Sequence, residues 1–479
     1  MASNTVTTTN AFDVVIVGAG LSGLQAASIL HDAGLKIAVL EATNRVGGMV
    51  LTIQSTEMGF NDLGATWIND TNQVEMFKLF QRFGLEGETQ RTVGDSIAQG
   101  FDETAAGERV PYGFIPGDPE IVAKLLDAVR AVSAEVNLDD PAASPGAKLL
   151  STQAFLDFCL EVSQLETAVG FANQVSSSLV GVEGKEVSAL SMLHYIKSGH
   201  GIDVLMSDHK HGGQYLRARQ GMQAIPKALA ATLHAGSIFL ETPATAIKQN
   251  PAAGTVEDEE MVEVHTAHGQ IFKARRVILS IPTTLHKTIT FIPALPAPRQ
   301  TLQKSTVMGY YTKIVYVFLH PWWLDAGLSG VIGTQAGPIS FSRDTSIPAD
   351  GQWSISCFII GARGREWAKL SKEERDQKAW DQFEACFGAV VGEVPKPERA
   401  FEMNWLKEPF FEGAPCPVFP AGDAMIAAGN ELDKAFGDIH FVGTGTATIW
   451  RGYMEGAILS GQRGAKEVLE ALKVSDYAS

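Results

Sequence analysis

The sequence predicts an α/β fold in two interleaved parts. Three features of the 479 residues predict it: a short apolar run followed by glycines spaced GxGxxG, a helix-rich middle, and a later series of short strands. The run at residues 14–17, Val-Val-Ile-Val, is continuously apolar and β-branched, as a strand buried on both faces must be. Gly18, Gly20 and Gly23 follow directly and lead into a helix. Gly18 permits a tight turn, Gly20 lets a diphosphate approach the backbone, and Gly23 lets the helix lie close to the strand. Leu24, Ala27, Ile29 and Leu30 give that helix its buried stripe, and Gly34 stops it. Residues 37–40 form a second strand that ends at Glu41, an acid placed to accept both hydroxyls of a ribose. The unit is therefore Rossmann-like. The acid disfavours a 2′-phosphate, so NADP is disfavoured while NAD and FAD both remain open.

Composition narrows the class further. The chain is 45% hydrophobic and 19% charged, which is ordinary for a folded protein with room for two cores. Lys and Arg number 38 against 54 Asp and Glu, a net charge of -16 that would repel nucleic acid or an anionic membrane. Cys159, Cys357, Cys386 and Cys416 are scattered, with no CxxC pair, so reduced thiols and a cytoplasmic location are expected. The first ten residues are polar and lack a basic region, so no signal peptide is expected, and no run of about 18 apolar residues suggests a membrane span. His200, His209 and His211 lie near one another in a loop-like stretch without a further ligand set, and they read as surface histidines, not a metal site.

Along the chain, residues 50–53 read as a strand, Gly64-Ala65-Thr66-Trp67 as a turn, and 74–83 as a helix. From about Leu85 the pattern becomes mostly helical, with helices at 121–136, 151–162 and 188–196. Strands are expected at 237–247, 262–265 and 270–280, with the acidic loop 250–260 solvated between them. Further strands at 311–319 and 351–360 and a helix at 372–387 indicate a second visit to the inserted domain, and 439–442 reads as the last core strand. The cofactor-binding unit then comprises residues 1–84, 209–290 and 400–479, and the α+β substrate-binding unit comprises 85–208 and 291–399.

Arg45-Val46-Gly47-Gly48, in register after the second strand, makes the unit resemble the two-dinucleotide-binding-domain flavoproteins, and that resemblance favours FAD. Three more stretches resemble the flavin-containing monoamine oxidase family: RRVILSIPTTLHKTITFIPALP, MGYYTKIVYVFLHPWW and DIHFVGTGTATIWRGYMEGAILSGQRGA. The resemblance implies that Lys313 holds a water against flavin N5, that Tyr453 flanks the substrate, that Trp405 walls the flavin and that Gln214 belongs to the substrate pocket. It also implies cofactor contacts from Gly64, Ala65, Thr66 and Ala244, and from Gly443, Thr444, Tyr453 and Met454 in the closing motif.

Departures from the family pattern bear on the substrate. Where the family carries a flavin-linking cysteine and then a cage tyrosine, this chain has Ala414 and Pro415, with Cys416 next, so non-covalent FAD is expected. A pocket with Tyr453 opposite proline should be wider, which favours a bulky, cyclic or secondary amine. Met49 stands where the family has an arginine, and Gly445 where it has an acid.

The resemblance implies oxidation of an amine C–N bond to an imine, with oxygen reduced to hydrogen peroxide. A flavin dehydrogenase or desaturase acting on a natural product is the alternative, and a non-catalytic flavin scaffold a further one. The expected partners are a small amine and oxygen, with a homodimer left open.

Overall fold

The structure is a computed structural model that describes residues 11–102, 104–249 and 261–474. The polar N-terminal ten residues and the acidic loop 250–260 lie outside the described residues.

Strand β1 (Phe12–Val17) enters helix α1 (Leu21–Asp32), and β2 (Ile37–Leu40) returns parallel to β1 with Val15 opposite Ala38. Residues 14–17 and all of β2 are buried, as an apolar run without alternation requires. Parallel to β1 on its other side runs the strand Ile271–Leu279, with Val15 opposite Val277. The strand Ile439–Phe441 joins the end of Ile271–Leu279, also in parallel. An antiparallel extension, Val262–Thr266 and Ala244–Gln249, completes an eight-stranded sheet together with Thr290–Ile292 and Ile238–Phe239.

Helix α1 is buried almost all round, although its pattern gave one stripe, because a second helix covers its outer side. That helix, Met454–Ala471, closes against α1 at Gly461, where any Cβ would lie 2.4 Å from the carbonyl oxygen of Ser22. Two glycines thus decide the packing here: Gly23 sets α1 on the sheet and Gly461 sets the closing helix on α1.

A second sheet of seven strands is largely antiparallel and runs in the order Arg399–Asn404, Tyr311–Phe318, Trp353–Ile360, Phe341–Asp344, Leu328–Thr334, Asp95–Gln99, Glu108–Val110. Lys313 lies on its second strand, opposite Phe358 on one neighbour and Met403 on the other. Helices between Pro119 and Leu205 pack into their own apolar core around Phe155, Leu190 and Trp450. The boundaries drawn at 290/291 and 399/400 fall inside the strands Thr290–Ile292 and Arg399–Asn404.

The strands Gly87–Thr89, Asp95–Gln99 and Glu108–Val110 fall where a mostly helical pattern is expected, and three further elements differ. The helix expected at 151–162 is two, Ala147–Thr152 and Phe155–Ser163. Between them Ala154 bridges to Ser188, and the Phe155 N–H donates to the Val187 carbonyl at 2.9 Å, so a tertiary partner takes the backbone groups that a continuous helix would use. The strand expected at 237–247 is also two, because the chain turns at Glu241 (φ 50°), where the Glu241 and Thr242 N–H groups donate to the carbonyls of Thr43 and Glu41. Helix Ala168–Val180 has no strong apolar period, and it forms because its Ala172, Val175 and Leu179 face the helical core before Gly181 ends it in the left-handed conformation.

Candidate active site

One cavity of about 1170 Å³ runs from the ends of β1 and β2 to the second sheet and the helical group. Its floor is built first by the glycine turns. A side chain at Gly20 would meet no protein atom within 4 Å, so the open space lies on the cavity side. Gly20 caps α1 without a side-chain hydrogen bond, and the first turn carries no acid, which leaves the leading N–H groups for an anion. The second glycine pair folds onto the first: the Gly47 N–H donates to the Ala19 carbonyl at 2.8 Å, and a Cβ at Gly48 would lie 3.3 Å from the Gly20 Cα. Glu41 stands beside them at the cavity wall. Its Oε2 accepts from the Ala19 N–H at 2.8 Å, and its Oε1 accepts from the Thr43 N–H at 2.9 Å.

Lys313 forms the wall opposite the glycines. Its Nζ donates to the Asp62 carbonyl at 2.9 Å, the Gly64 carbonyl at 2.7 Å and the Thr66 hydroxyl at 2.7 Å. It also sits 5.2 Å from the Phe358 ring centre and 5.5 Å from that of Trp67. Burial lowers the Lys313 pKa from the usual lysine value, while the Asp62 carboxylate opposes that shift. Burial brings the ammonium down to about 7, and the two main-chain carbonyls among its three partners each need an N–H from it.

Between these walls lies an aromatic chamber. The Tyr453 ring is 6.2 Å from Tyr195 and 4.9 Å from Trp450, and its phenol faces Tyr195 and Gln214. The Tyr195 hydroxyl donates to the Leu179 carbonyl at 3.2 Å, and the Tyr311 hydroxyl donates to the Ser178 carbonyl. Burial holds the phenols of Tyr195, Tyr311 and Tyr453 above the ordinary tyrosine range, so all three are neutral. Phe341 stacks on Phe358 at 4.5 Å on the far side. At the outer end Tyr112 donates to Asp208 at 2.6 Å, and Arg343 pairs with the same carboxylate at 3.2 Å.

Most of the residues singled out from the sequence meet at this cavity. Gly18, Gly20, Glu41, Gly47 and Gly48 line it with Gly64, Ala65, Thr66 and Ala244. Gln214, Lys313, Trp405, Gly443, Thr444, Tyr453 and Met454 line it as well. Gly23 and Arg45 do not. A Cβ at Gly23 would lie 2.1 Å from the Gly18 carbonyl oxygen, so it serves packing, and Arg45 stands 6.0 Å from the Phe411 ring. Cys416 is also off the lining, buried in the helical core, while Ala414 and Pro415 reach the cavity. His200, His209 and His211 are exposed, His209 at the cavity mouth.

The sequence pattern missed Tyr195, Tyr311, Phe341 and Phe358, whose helix and strands gave no sign of which face would meet the cavity. It also missed Ser280, which lines the cavity where Ile271–Leu279 ends beside Gly18 and whose buried hydroxyl has no hydrogen-bond partner. Its signal was the Ser-Ile-Pro that ends the strand.

A family model described as flavin containing amine oxidoreductase matches residues 21–469. The chain belongs to that family. Flavin-containing amine oxidase B of Sus scrofa is 31% identical over 470 residues, covering 96% of this chain and 86% of the relative. The human amine oxidase B is 30% identical, with 97% and 87% covered. Among solved structures, cyclohexylamine oxidase from Brevibacterium oxydans IH-35A superposes with a TM-score of 0.86 at 28% identity, covering 96% of this chain and 99% of that one. A putrescine oxidase bound to putrescine gives 0.85 at 25% identity, covering 97% and 100%.

This amine oxidase is an oxidoreductase acting on amine donors, and its cofactor is FAD. The residues fit that group. The uncapped start of α1, the open side of Gly20, the carboxylate of Glu41 and the unpartnered Ser280 hydroxyl line one continuous wall, as a diphosphate, a ribose and a polar chain need. Among the described residues, no helix is long and apolar enough to cross a membrane, and no group of three or more His, Cys, Asp or Glu could hold a metal ion.

Proposed function

We propose that this protein is an oxidase of bulky, cyclic or secondary amines that holds FAD non-covalently and passes electrons to oxygen, releasing hydrogen peroxide and an imine. The observation that carries the reading is the single cavity joining the glycine turns to Lys313 and Tyr453, with Pro415 on its wall where the family pattern has a tyrosine. Bound FAD supplies the two-electron acceptor. The protein positions the amine and excludes water.

Each residue's part follows from its chemistry. The Gly18–Gly23 and Gly47–Gly48 turns hold the diphosphate, and Glu41 the ribose. Gly64, Ala65, Ala244, Gly443, Thr444 and Met454 shape the cofactor's wall, with Trp405 fixed by its indole N–H on the Leu63 carbonyl at 3.3 Å. Arg45 braces the second turn. Tyr453 and Gln214 flank the substrate, and Lys313 orders a water beside the flavin by exchanging its Thr66 bond.

The amine reacts as the free base, because it must lose its proton before its α-carbon gives up a hydride. The neutral phenols offer its nitrogen aromatic faces and hydroxyls, and none is a carboxylate that could stabilise an ammonium. Cys416 stays unlinked because it points into the helical core, where burial pushes its thiol up to about 11. All four cysteines are free, which supports a cytoplasmic location.

The cavity size also favours a second reading, a flavin dehydrogenase acting on a larger natural product. One experiment separates the two: the visible spectrum of the anaerobic protein before and after primary, secondary and cyclic amines, then after air. Bleaching by an amine, with recovery and peroxide on aeration, supports the oxidase. Bleaching without recovery in air supports the dehydrogenase, and a flavin that stays oxidised with every amine removes the amine reading.

A further inference from the structure

Behind Lys313 lies a carboxylate that does not line the cavity. Asp62 ends β4 (Phe60–Asp62), which pairs with β3 (Thr52–Gln54) so that Thr52 faces Asp62 across the ladder. The carboxylate is 7% exposed, accepts from the Thr52 hydroxyl, and accepts from the Met222 N–H at 3.0 Å. Burial pushes the Asp62 carboxyl up to about 6, and the two donors on one oxygen and the two cations that face it, Lys313 and Arg217, offset part of that rise.

Arg217 is itself 5% exposed. It donates to the Thr345 carbonyl at 2.9 Å and the Ser346 carbonyl at 2.8 Å, so it is held away from any direct pairing with Asp62. Its outward face meets the acids Asp344 and Glu88. Lys313 therefore has one nearby acid, Asp62, and one nearby cation, Arg217. Without the acid, burial and Arg217 would both drive the amine to lose its proton.

We propose that Asp62 is a positioning residue for Lys313, supplying its buried counter-charge through the carboxylate and one of its three aiming hydrogen bonds through the main-chain carbonyl. Backbone and side chain act together. The carbonyl directs Nζ to the cavity wall, and the carboxylate offsets part of the burial that draws the proton off that nitrogen. The inference rests on the reading that Lys313 works beside the flavin.

The test is the variant Asp62→Asn, alone and combined with Lys313→Met, in the FAD-loaded protein. Asparagine keeps the main-chain carbonyl, the volume and an acceptor for Thr52, and removes only the charge. Two readouts are taken: the pH titration of the oxidised flavin absorption, and reoxidation of the reduced flavin by oxygen. With Lys313 present, Asp62→Asn should move the titration to lower pH by about one unit or more, because a lost negative charge lowers an ammonium's pKa. It should slow reoxidation about tenfold, and in the Lys313→Met background the same change should have an effect of less than about twofold. Asp62→Glu, which restores the charge, should recover most of the loss.

Equal effects in the two backgrounds, or an unmoved titration, would overturn the proposal and leave Asp62 as a cap for Thr52 and Met222. If Lys313→Met alone left reoxidation unchanged, the role of Lys313 would fall first and the role of Asp62 with it. Amine oxidation itself would survive either result, since bleaching by amine reads it separately.

Discussion

Lys313 Nζ donates to the Thr66 hydroxyl at 2.7 Å, its one side-chain acceptor beside two main-chain carbonyls. The two residues are 247 positions apart and come from an inner strand of one sheet and a turn beside the other. The bond ties the substrate wall to the cofactor floor. Thr66→Val leaves one buried N–H without a partner, and should cost about 1–3 kcal/mol of stability. Urea unfolding of the two proteins measures it, and an unchanged midpoint would mean that Lys313 finds another acceptor.

Lys313→Met should slow flavin reoxidation by oxygen by about a hundredfold, and reduction by amine much less. Stopped-flow traces of the two half-reactions give both numbers. Equal slowing of the two would assign Lys313 to structure.

Pro415→Tyr should narrow the chamber opposite Tyr453. The preference for a slim primary amine over a bulky secondary one, taken as a ratio of kcat/KM values, should rise about tenfold. A ratio that does not move would place the substrate elsewhere in the cavity.

Acid precipitation should leave the yellow cofactor in the supernatant for the native protein and for Cys416→Ala alike. The substitution empties a small buried volume in the helical core and should lower stability by about 1 kcal/mol. Flavin that stays with the native pellet and leaves the Cys416→Ala pellet would show a covalent link.

Burial lowers His286 to about 3, and its ring packs 5.5 Å from Phe441 with a nitrogen 3.3 Å from the Ile281 carbonyl. The folded protein keeps this histidine neutral, whereas the unfolded chain protonates it below the ordinary histidine value near pH 6.5. Its contribution is therefore present above pH ~6.5 and is lost as pH falls from there toward ~3. His286→Gln should flatten the acid side of the stability curve by about 1.4 kcal/mol per pH unit, read from urea midpoints between pH ~6 and ~4. Parallel curves would mean that the ring is protonated when folded.

Flavin reduction by an amine should accelerate with pH, about tenfold per unit below the amine's pKa, because the amine must lose its proton before its α-carbon gives up a hydride. A flat profile from pH ~6 to ~9 would show that the protonated amine binds productively.

The parts of the site that could be read along the chain are those whose chemistry is local. Gly18, Gly20, Glu41, Gly47 and Gly48 fall within one strand-helix-strand unit, and each lines the cavity. A diphosphate cradle needs only a turn, a helix start and a nearby acid, and contiguous residues can build all three. Gly23 and Arg45 came from the same motif, yet they serve packing and bracing off the lining, since spacing marks a turn without saying which groups face its ligand.

The chamber obeyed no such rule. Tyr195 comes from a helix and Tyr311, Phe341 and Phe358 from three strands, and they converge because Lys313 pairs with Phe358, and Phe358 with Phe341, across the second sheet. Strand Phe341–Asp344 is polar at three of its four residues, and Trp353–Ile360 alternates only over its first half, so alternation could not tell cavity from core. Asp62 shows the limit most plainly. In the sequence it is one acid in a short turn, and only the folded chain, by enclosing it with Lys313 and Arg217 away from water, makes its charge matter. Motif chemistry, which neighbouring residues complete, was thus set by the order of amino acids; substrate walls and buried charge, which depend on strands hundreds of residues apart, were decided by packing.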